Sequence, residues 1–373
     1  MKVLLVTNIP NPYRIPLFNK LGKALSKKGH ELRVLFGAET YAGRQHKNDY
    51  SQVTFDYAFL KHKSRLVEKL VKPSMQTYRG LSSEVRKNKP DQIIVIGYSL
   101  ATMKLWLLSF FMGFELIIWG GTIPSSPEAR SKKRTLIRKI LVSRASRFLA
   151  YGTEAARYFE SLGCSPDRIY HAYNTVDVDF FSAIEKNTDS REGAPFHLTY
   201  LGYLNQRKGV HILIEVIEKL AQQRADFVLD ILGSGEERKN LEQLVSQKQL
   251  SKHVVFHGFK QKHELPPYLA QSDLFLFQTT FDIWGLVLNE AMAAGICCLS
   301  SKNAGATADL IVHGESGFAV DFEQTEEVAA LIHSLLNNKD QREAIGHHAS
   351  ERIIRNFNLD ITVQGFLQCL NIK

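Results

Sequence analysis

The sequence predicts an α/β protein built from two parallel-sheet domains. Short apolar runs alternate with helical stretches through the first half, which argues for a parallel sheet covered on both faces. The alternation restarts at Phe196, after a polar stretch. A chain of 373 residues suits two domains, each with its own core.

The elements follow in order. Val3–Val6 reads as the first strand, and Pro16 to Lys28 as a helix stopped by Gly29. Leu32–Phe36, Gln92–Ile96, Leu116–Trp119, Phe148–Ala150 and Ile169–Tyr173 continue the first sheet, with a Lys-rich helix ending near Asn88. Residues 187–195 are polar and contain Gly and Pro, as a linker between domains would. Phe196–Leu201, the helix Val210 to Ala221, Phe227–Leu232 and Leu274–Phe277 open the second sheet. A helix then starts at Leu286 and stops at Gly295, and two further helical stretches close the chain.

Composition excludes some classes of function. At 44% hydrophobic and 23% charged residues the chain is an ordinary globular one. No apolar run reaches the length of a membrane span; the nearest, Leu105 to Phe114, is short and contains Ser109 and Gly113. The opening Met1–Val6 is too short for a leader, and Asn8, Pro10, Asn11 and Pro12 follow at once. The four cysteines (Cys164, Cys297, Cys298, Cys369) show no metal-ligand spacing, which fits a reduced, cytosolic protein. The net charge of +9 points to an acidic partner: nucleic acid, anionic lipid or a phosphorylated substrate.

The most informative stretch runs from Phe281 to Gly295. A strand ends, Asp282 follows it, Gly285 lets something approach, and a helix begins at Leu286 with Glu290 one turn in. The free N–H groups of such a helix start attract anions. On these two acids alone, Asp282 as a helix cap and Glu290 as a solvated helix residue is the bland alternative. The run resembles the acid-x7-Glu signature of retaining glycosyltransferases of the GT-B fold, glycosyltransferase family four (glycosyl transferases group 1). That pattern reads Glu-x-Phe-Gly-Leu-Val-x-x-Glu-Ala-Met-Ala-x-Gly; here Asp282 replaces its first Glu and Trp284 its Phe.

The resemblance extends along the second half. Gly202-Tyr203-Leu204-Asn205-Gln206-Arg207-Lys208-Gly209 is similar to the family's Gly-Arg-Leu-x-x-x-Lys-Gly loop, with Tyr203 where Arg is usual. Arg207 is the substitute cation, although an extended loop would point it away from Lys208. Val254–Phe259 resembles the segment whose backbone meets the nucleotide base. Gly305 to Asp309 and Gly314 to Gly317 resemble the family's Gly-Gly-x-x-Glu and Asp-Gly-x-x-Gly loops, with Ala306 and Asp309 departing from the first. Gly233-Ser234-Gly235 is a lone Gly-x-Gly, with Arg238 where a dinucleotide fingerprint needs its third glycine.

The first half matches less. Asn8 to Arg14 replaces the family's glycine-rich loop; Arg14 is either an anion contact or a solvated loop residue. Gly120 and Gly121 permit close backbone approach, by a ligand or by a neighbouring helix. Asn174 to Phe181 resembles the Asn-x-Val-Asp-x-x-x-Phe motif that ends the family's first lobe, so the Asp177-x-Asp179 pair is not read as a metal site. Ala129 to Arg147 holds eight basic residues and no acid, with Leu136, Ile137, Ile140 and Leu141 at helical spacing. Such a helix suits an anionic membrane surface, the alternative being a solvated face. Lys61, Lys63, Arg65, Lys69 and Lys72 form a second basic cluster.

The resemblance implies a GT-B fold: two Rossmann-like domains facing a central cleft, with the last helix crossing back to the first. The expected domains are 1–188 plus 357–373, for the acceptor, and 189–356, for the nucleotide sugar. It implies sugar transfer from a nucleotide-diphospho-sugar to a glycan or lipid-linked acceptor, with retention of configuration, in cell-surface polysaccharide synthesis. Lys208, with Arg207, would neutralise the diphosphate. Glu290 would hold the ribose and Asp282 the sugar hydroxyls, while Gly285 and Leu286 would give backbone donors. Gly202, Tyr203, Phe259 and Trp284 would complete the donor site, and Arg14, Gly120 and Gly121 the acceptor side. No metal or cofactor is expected, and the enzyme would work in the cytoplasm on the inner membrane face. A sugar-nucleotide epimerase of the same fold, or a basic nucleic-acid-binding protein, are the alternatives; the latter lacks interleaved aromatics or a recognition motif.

Overall fold

The computed structural model describes residues 1–39, 50–60, 78–186 and 193–372. The chain forms two compact units, Met1–Thr175 with Leu359–Lys373, and Val176–Asn358. The Lys61–Lys72 cluster and residues 187–192 of the expected linker lie outside the described residues.

The first unit holds a seven-stranded sheet of β1 (Lys2–Thr7), β2 (Glu31–Phe36), β3 (Asp56–Phe59), β4 (Gln92–Ile96), β5 (Glu115–Gly120), β6 (Arg147–Ala150) and β7 (Ile169–His171), in the order β3-β2-β1-β4-β5-β6-β7. Every pairing is parallel, as in Leu5↔Val34 and Leu5↔Ile94. Parallel strands need crossovers, and helices Ile15–Lys27, Leu81–Asn88, Leu100–Leu108, Lys132–Ser143 and Thr153–Ser161 supply them. Helix Ile15–Lys27 buries Ile15, Leu17, Phe18, Leu21 and Leu25 at i, i+3, i+4 spacing, and Gly29 behind it takes φ +72°. The last helix, Leu359–Cys369, returns to this unit. Its Phe366 ring packs edge-on against Trp119 at 4.8 Å, and Thr362 donates to the Tyr173 carbonyl at 2.8 Å.

The second unit repeats the plan with β8 (Phe196–Leu201), β9 (Phe227–Leu232), β10 (Val254–Gly258), β11 (Leu274–Phe277), β12 (Cys297–Ser301) and β13 (Phe318–Val320), in the order β10-β9-β8-β11-β12-β13. Helix Val210–Ala221 buries seven apolar side chains, among them Val210, Leu213, Ile217 and Leu220, in the core shared with β8, β9 and β11. Strand order reverses between β8 and β11. In open parallel sheets the carboxyl ends of such a strand pair flank the natural binding crevice.

The boundary differs from the expected 188/189. Helix Val178–Ser182 packs on helices Leu286–Ala293 and Lys339–Asn356, so residues from Val176 onward join the second unit. The return point is likewise Leu359 rather than 357. β3 and β13 were not expected. Both are short edge strands with only three or four residues of pattern.

Candidate functional site

The site residues of the second unit converge where β8 and β11 end. After β8 the chain turns through Gly202–Asn205 into a short 3-10 turn, Gln206–Lys208, and Gly209 (φ +56°) opens helix Val210–Ala221. After β11, Gln278 to Gly285 lead into helix Leu286–Ala293. The two loops are laced together. The Arg207 carbonyl accepts from the Thr280 N–H at 3.0 Å, Thr280 Oγ1 at 2.7 Å and Thr279 Oγ1 at 3.2 Å.

At the junction Lys208 Nζ meets Asp282 Oδ2 at 2.5 Å, with both side chains buried or nearly so. Burial lowers the Lys208 ammonium below its usual value, against the pull of Asp282. Burial also works against the Asp282 charge, but Lys208 and then Arg207 outweigh it and hold the carboxyl below the usual range. The Asp282 carboxyl therefore stays ionised at neutral pH. The Phe277 ring lies 5.2 Å beneath the ammonium.

Arg207 also faces Asp282, at 3.5 Å, and donates to the Phe281 carbonyl at 2.6 Å. The expectation that it points elsewhere assumed an extended loop. A 3-10 turn rotates successive side chains by about 120° rather than 180°, so both cations reach one carboxylate. Tyr203 is exposed, and its carbonyl accepts from Tyr200 Oη at 3.3 Å.

Asp282 does not cap the helix. The residue before Leu286 is Gly285, at φ +106°, and no side chain caps that end. A Cβ on Gly285 would sit 2.2 Å from the Phe277 ring, so both the backbone angle and the space demand glycine. Asp282 is held from behind instead: its N–H donates to the Asn303 carbonyl at 3.2 Å, and its carbonyl accepts from the Gly305 N–H at 2.9 Å. Trp284 is buried and gives its indole N–H to Asn289 at 2.9 Å, so its side chain supports the loop and offers no polar group to a ligand.

Glu290 lies one turn into the helix and is partly buried. Burial pushes its carboxyl up to about 8, moderated by Lys262, which itself pairs with Asp177 at 2.8 Å. That pair takes up the first acid of the Asp177-x-Asp179 string. Phe259 follows β10 and is partly buried.

The lone Gly-x-Gly has a packing role. A Cβ on Gly233 would stand 1.9 Å from the Gly202 carbonyl, and one on Gly235 2.1 Å from the Leu204 carbonyl. The Gly202–Leu204 backbone crosses directly over both. Sequence reasoning missed this support, along with Tyr200, Thr279 and Thr280, since polar residues at strand ends carry no spacing signal.

The first-unit candidates occupy strand ends too. Arg14 is buried, not solvated: its guanidinium lies 4.8 Å over the Trp119 ring and hydrogen-bonds Tyr151 Oη and Thr7 Oγ1. At Gly120 a Cβ would meet the Phe159 ring at 2.9 Å, and at Gly121 the Tyr151 ring at 2.3 Å. The Cβ space beside these glycines is filled by neighbouring side chains, and at Gly120 the neighbour is helix Thr153–Ser161, the second of the two alternatives.

A family model described as Glycosyl transferases group 1 matches residues 182–352. WcaL of Salmonella typhimurium, provisionally named a colanic acid biosynthesis glycosyltransferase, is 30% identical over 206 residues, covering 53% of this chain and 50% of that protein. The lipopolysaccharide core biosynthesis glycosyltransferase LpsE of Rhizobium meliloti is 29% identical over 185 residues, covering 50% and 52%. The chain thus spans about half the length of the curated relatives it matches. Among solved structures, Anabaena Alr3699/HepE in complex with UDP superposes with a TM-score of 0.76 at 19% identity, covering all of both chains. The apo lipopolysaccharide outer core galactosyltransferase WaaB gives 0.75 at 15%, covering 100% and 99%. Residues 182–352 thus match the glycosyl transferases group 1 family model, and the chain that carries them has the GT-B fold of these solved structures.

Proposed function

We propose that the chain is a retaining glycosyltransferase moving a sugar from a nucleotide-diphospho-sugar to a glycan or lipid-linked acceptor in cell-surface polysaccharide synthesis. The observation that carries this is the buried Lys208–Asp282 pair at the β8/β11 switch point, beside the open start of helix Leu286–Ala293. A buried ammonium at a strand end suits a diphosphate as a point charge. The names of the matching relatives, and the UDP and UDP-glucose bound by HepE, support the donor class.

In this reading the donor diphosphate takes Lys208 and Arg207 and so competes with Asp282 for them. Negative charge grows on the leaving diphosphate in the transition state, and fixed cations and backbone N–H groups stabilise it there. Asp282, freed from part of its ion pair, accepts hydrogen bonds from the sugar hydroxyls. Glu290 accepts from the ribose. No residue is assigned as a covalent nucleophile, and no metal is assigned a role. The first unit holds the acceptor, and the protein works in the cytoplasm on an anionic membrane surface.

Asp282→Asn tests the assignment. Turnover should fall, whereas nucleoside diphosphate affinity should hold or rise, because the competing carboxylate is gone. Calorimetry with the diphosphate, beside a sugar-transfer assay that follows mass balance, reads both. Equal loss of turnover and diphosphate affinity would assign Asp282 to the loop's structure. Conversion of the donor without transfer to any acceptor would favour the epimerase.

A further inference from the structure

The first unit exposes large apolar side chains on two neighbouring helices. On Leu100–Leu108 and the turn after it, Leu100, Met103, Leu107 and Phe110 are all exposed, and Phe111 is 81% exposed. Leu100, Met103 and Leu107 recur at three- and four-residue spacing, so they share one face. On Lys132–Ser143, Leu136, Ile137 and Ile140 are exposed, Leu136 at 62%. Arg144 joins the two elements: it donates to the Ser109 hydroxyl at 3.3 Å and the Ser109 carbonyl at 3.0 Å, with its guanidinium 4.9 Å over Phe110.

The charged residues within both stretches are all basic. Lys132, Lys133 and Lys139 flank the exposed face of Lys132–Ser143, Lys104 sits beside Leu107, and neither 100–112 nor 129–147 contains an acid. Two basic residues of the stretch do not contribute. Arg138 is buried, donating to Tyr158 Oη at 2.6 Å with its guanidinium 4.8 Å from the Tyr98 ring, and Arg147 is buried against Glu115. The sequence reading counted both as surface charge.

We propose that these two helices form one interfacial platform, whose Leu107, Phe110, Phe111, Leu136 and Ile140 enter the acyl boundary of an anionic bilayer while the flanking lysines hold its headgroups. This deepens the membrane-facing part of the functional reading and rests on it. An apolar face with a cationic rim is the chemistry of an interfacial helix. A second copy of the chain would bring two acid-free basic rims together, which like-charge repulsion opposes. Nucleic acid would reward the lysines but not the exposed apolar side chains beside them.

Vesicle co-sedimentation tests the platform, using phosphatidylcholine vesicles with and without phosphatidylglycerol at low and high salt. Wild-type protein should bind the anionic vesicles and keep a salt-resistant fraction. Replacing Lys132, Lys133 and Lys139 with Gln should weaken partitioning roughly 100-fold, about fivefold per lysine. Phe110→Ser with Phe111→Ser should weaken it at least about tenfold and remove the salt-resistant fraction. Phe111→Trp should show blue-shifted emission quenched by lipids brominated on their acyl chains. If salt abolishes binding and the double serine variant binds like wild type, insertion is overturned and electrostatic docking alone stands. If wild-type protein ignores anionic vesicles at low salt, insertion and membrane docking both fall. A dimer in light scattering that the serine variant dissolves, without vesicle binding, would give the face to a second copy and overturn the proposal.

Discussion

Lys208→Met should lose roughly 100- to 1,000-fold in turnover, the usual effect of deleting one fixed group that stabilises charge in a transition state. It should also destabilise the free protein. Asp282, 14% exposed, would keep Arg207 at 3.5 Å and the Trp284 N–H at 3.4 Å. Removing one partner of a buried pair typically costs about 3–5 kcal/mol, and the remaining guanidinium puts this case toward the lower end. Lys208→Met combined with Asp282→Asn separates the two effects. The double variant should recover most of the stability, since no lone charge remains, and none of the turnover. Urea unfolding and a transfer assay on the three variants read this directly. Turnover within a few-fold of wild type in Lys208→Met would remove the diphosphate role.

The second large effect concerns pH and Glu290. Its folded carboxyl titrates near 8, against an ordinary value of 4.5. Between those values the unfolded chain has shed a proton that the folded chain keeps. Stability therefore falls as pH rises from 4.5 toward 8 and levels off beyond it. Glu290→Gln has no such proton to lose. It should be more stable than wild type at pH 8 by an amount on the order of 2 kcal/mol, with the gap closing toward pH 5.

Ligand affinity should move the opposite way. A carboxylate accepting from ribose hydroxyls must be ionised, so nucleoside diphosphate binding should release close to one proton near pH 7. Affinity should then rise by up to about tenfold per pH unit until about pH 8. Glu290→Gln should flatten that slope, beyond what the diphosphate's own titration leaves, and lose roughly 1.5–3 kcal/mol of binding. Calorimetry in buffers of different ionisation enthalpy counts the proton. A variant that keeps both slope and affinity would leave Glu290 a helix residue without a ligand.

Much of this was legible in the chain because the strands are mostly apolar runs. β4, β8, β9 and β11 lie on the residues the pattern picked out, since strands buried on both faces are near-continuously apolar, with Thr199 in β8 and Asp230 in β9 among the polar interruptions. β3 was not, because an edge strand of four half-exposed residues has no such run. The helix at Leu286 and its stop at Gly295 (φ +69°) were legible from glycine placement. The Lys208–Asp282 contact was not readable as a pair. The two residues lie 74 apart in sequence and meet only because β8 and β11 are neighbours. Arg138 shows the limit of charge counting: one helical position decides whether an arginine faces water or two tyrosine rings. The stretch from Leu100 to Phe111 shows the converse. It is apolar nearly all round, so its sequence has no period to say that one side stays uncovered.

The returning helix sets an order on the birth of the protein. Phe366 closes on Trp119, and Gly365 lies so near the His171 carbonyl that a Cβ there would stand 1.9 Å from it. These contacts come from residues translated after the whole of the second unit. On the ribosome the first unit therefore begins to emerge before the second and is completed after it. While the second sheet is being made, the Trp119 ring waits without the Phe366 ring that covers it, until helix Leu359–Cys369 follows.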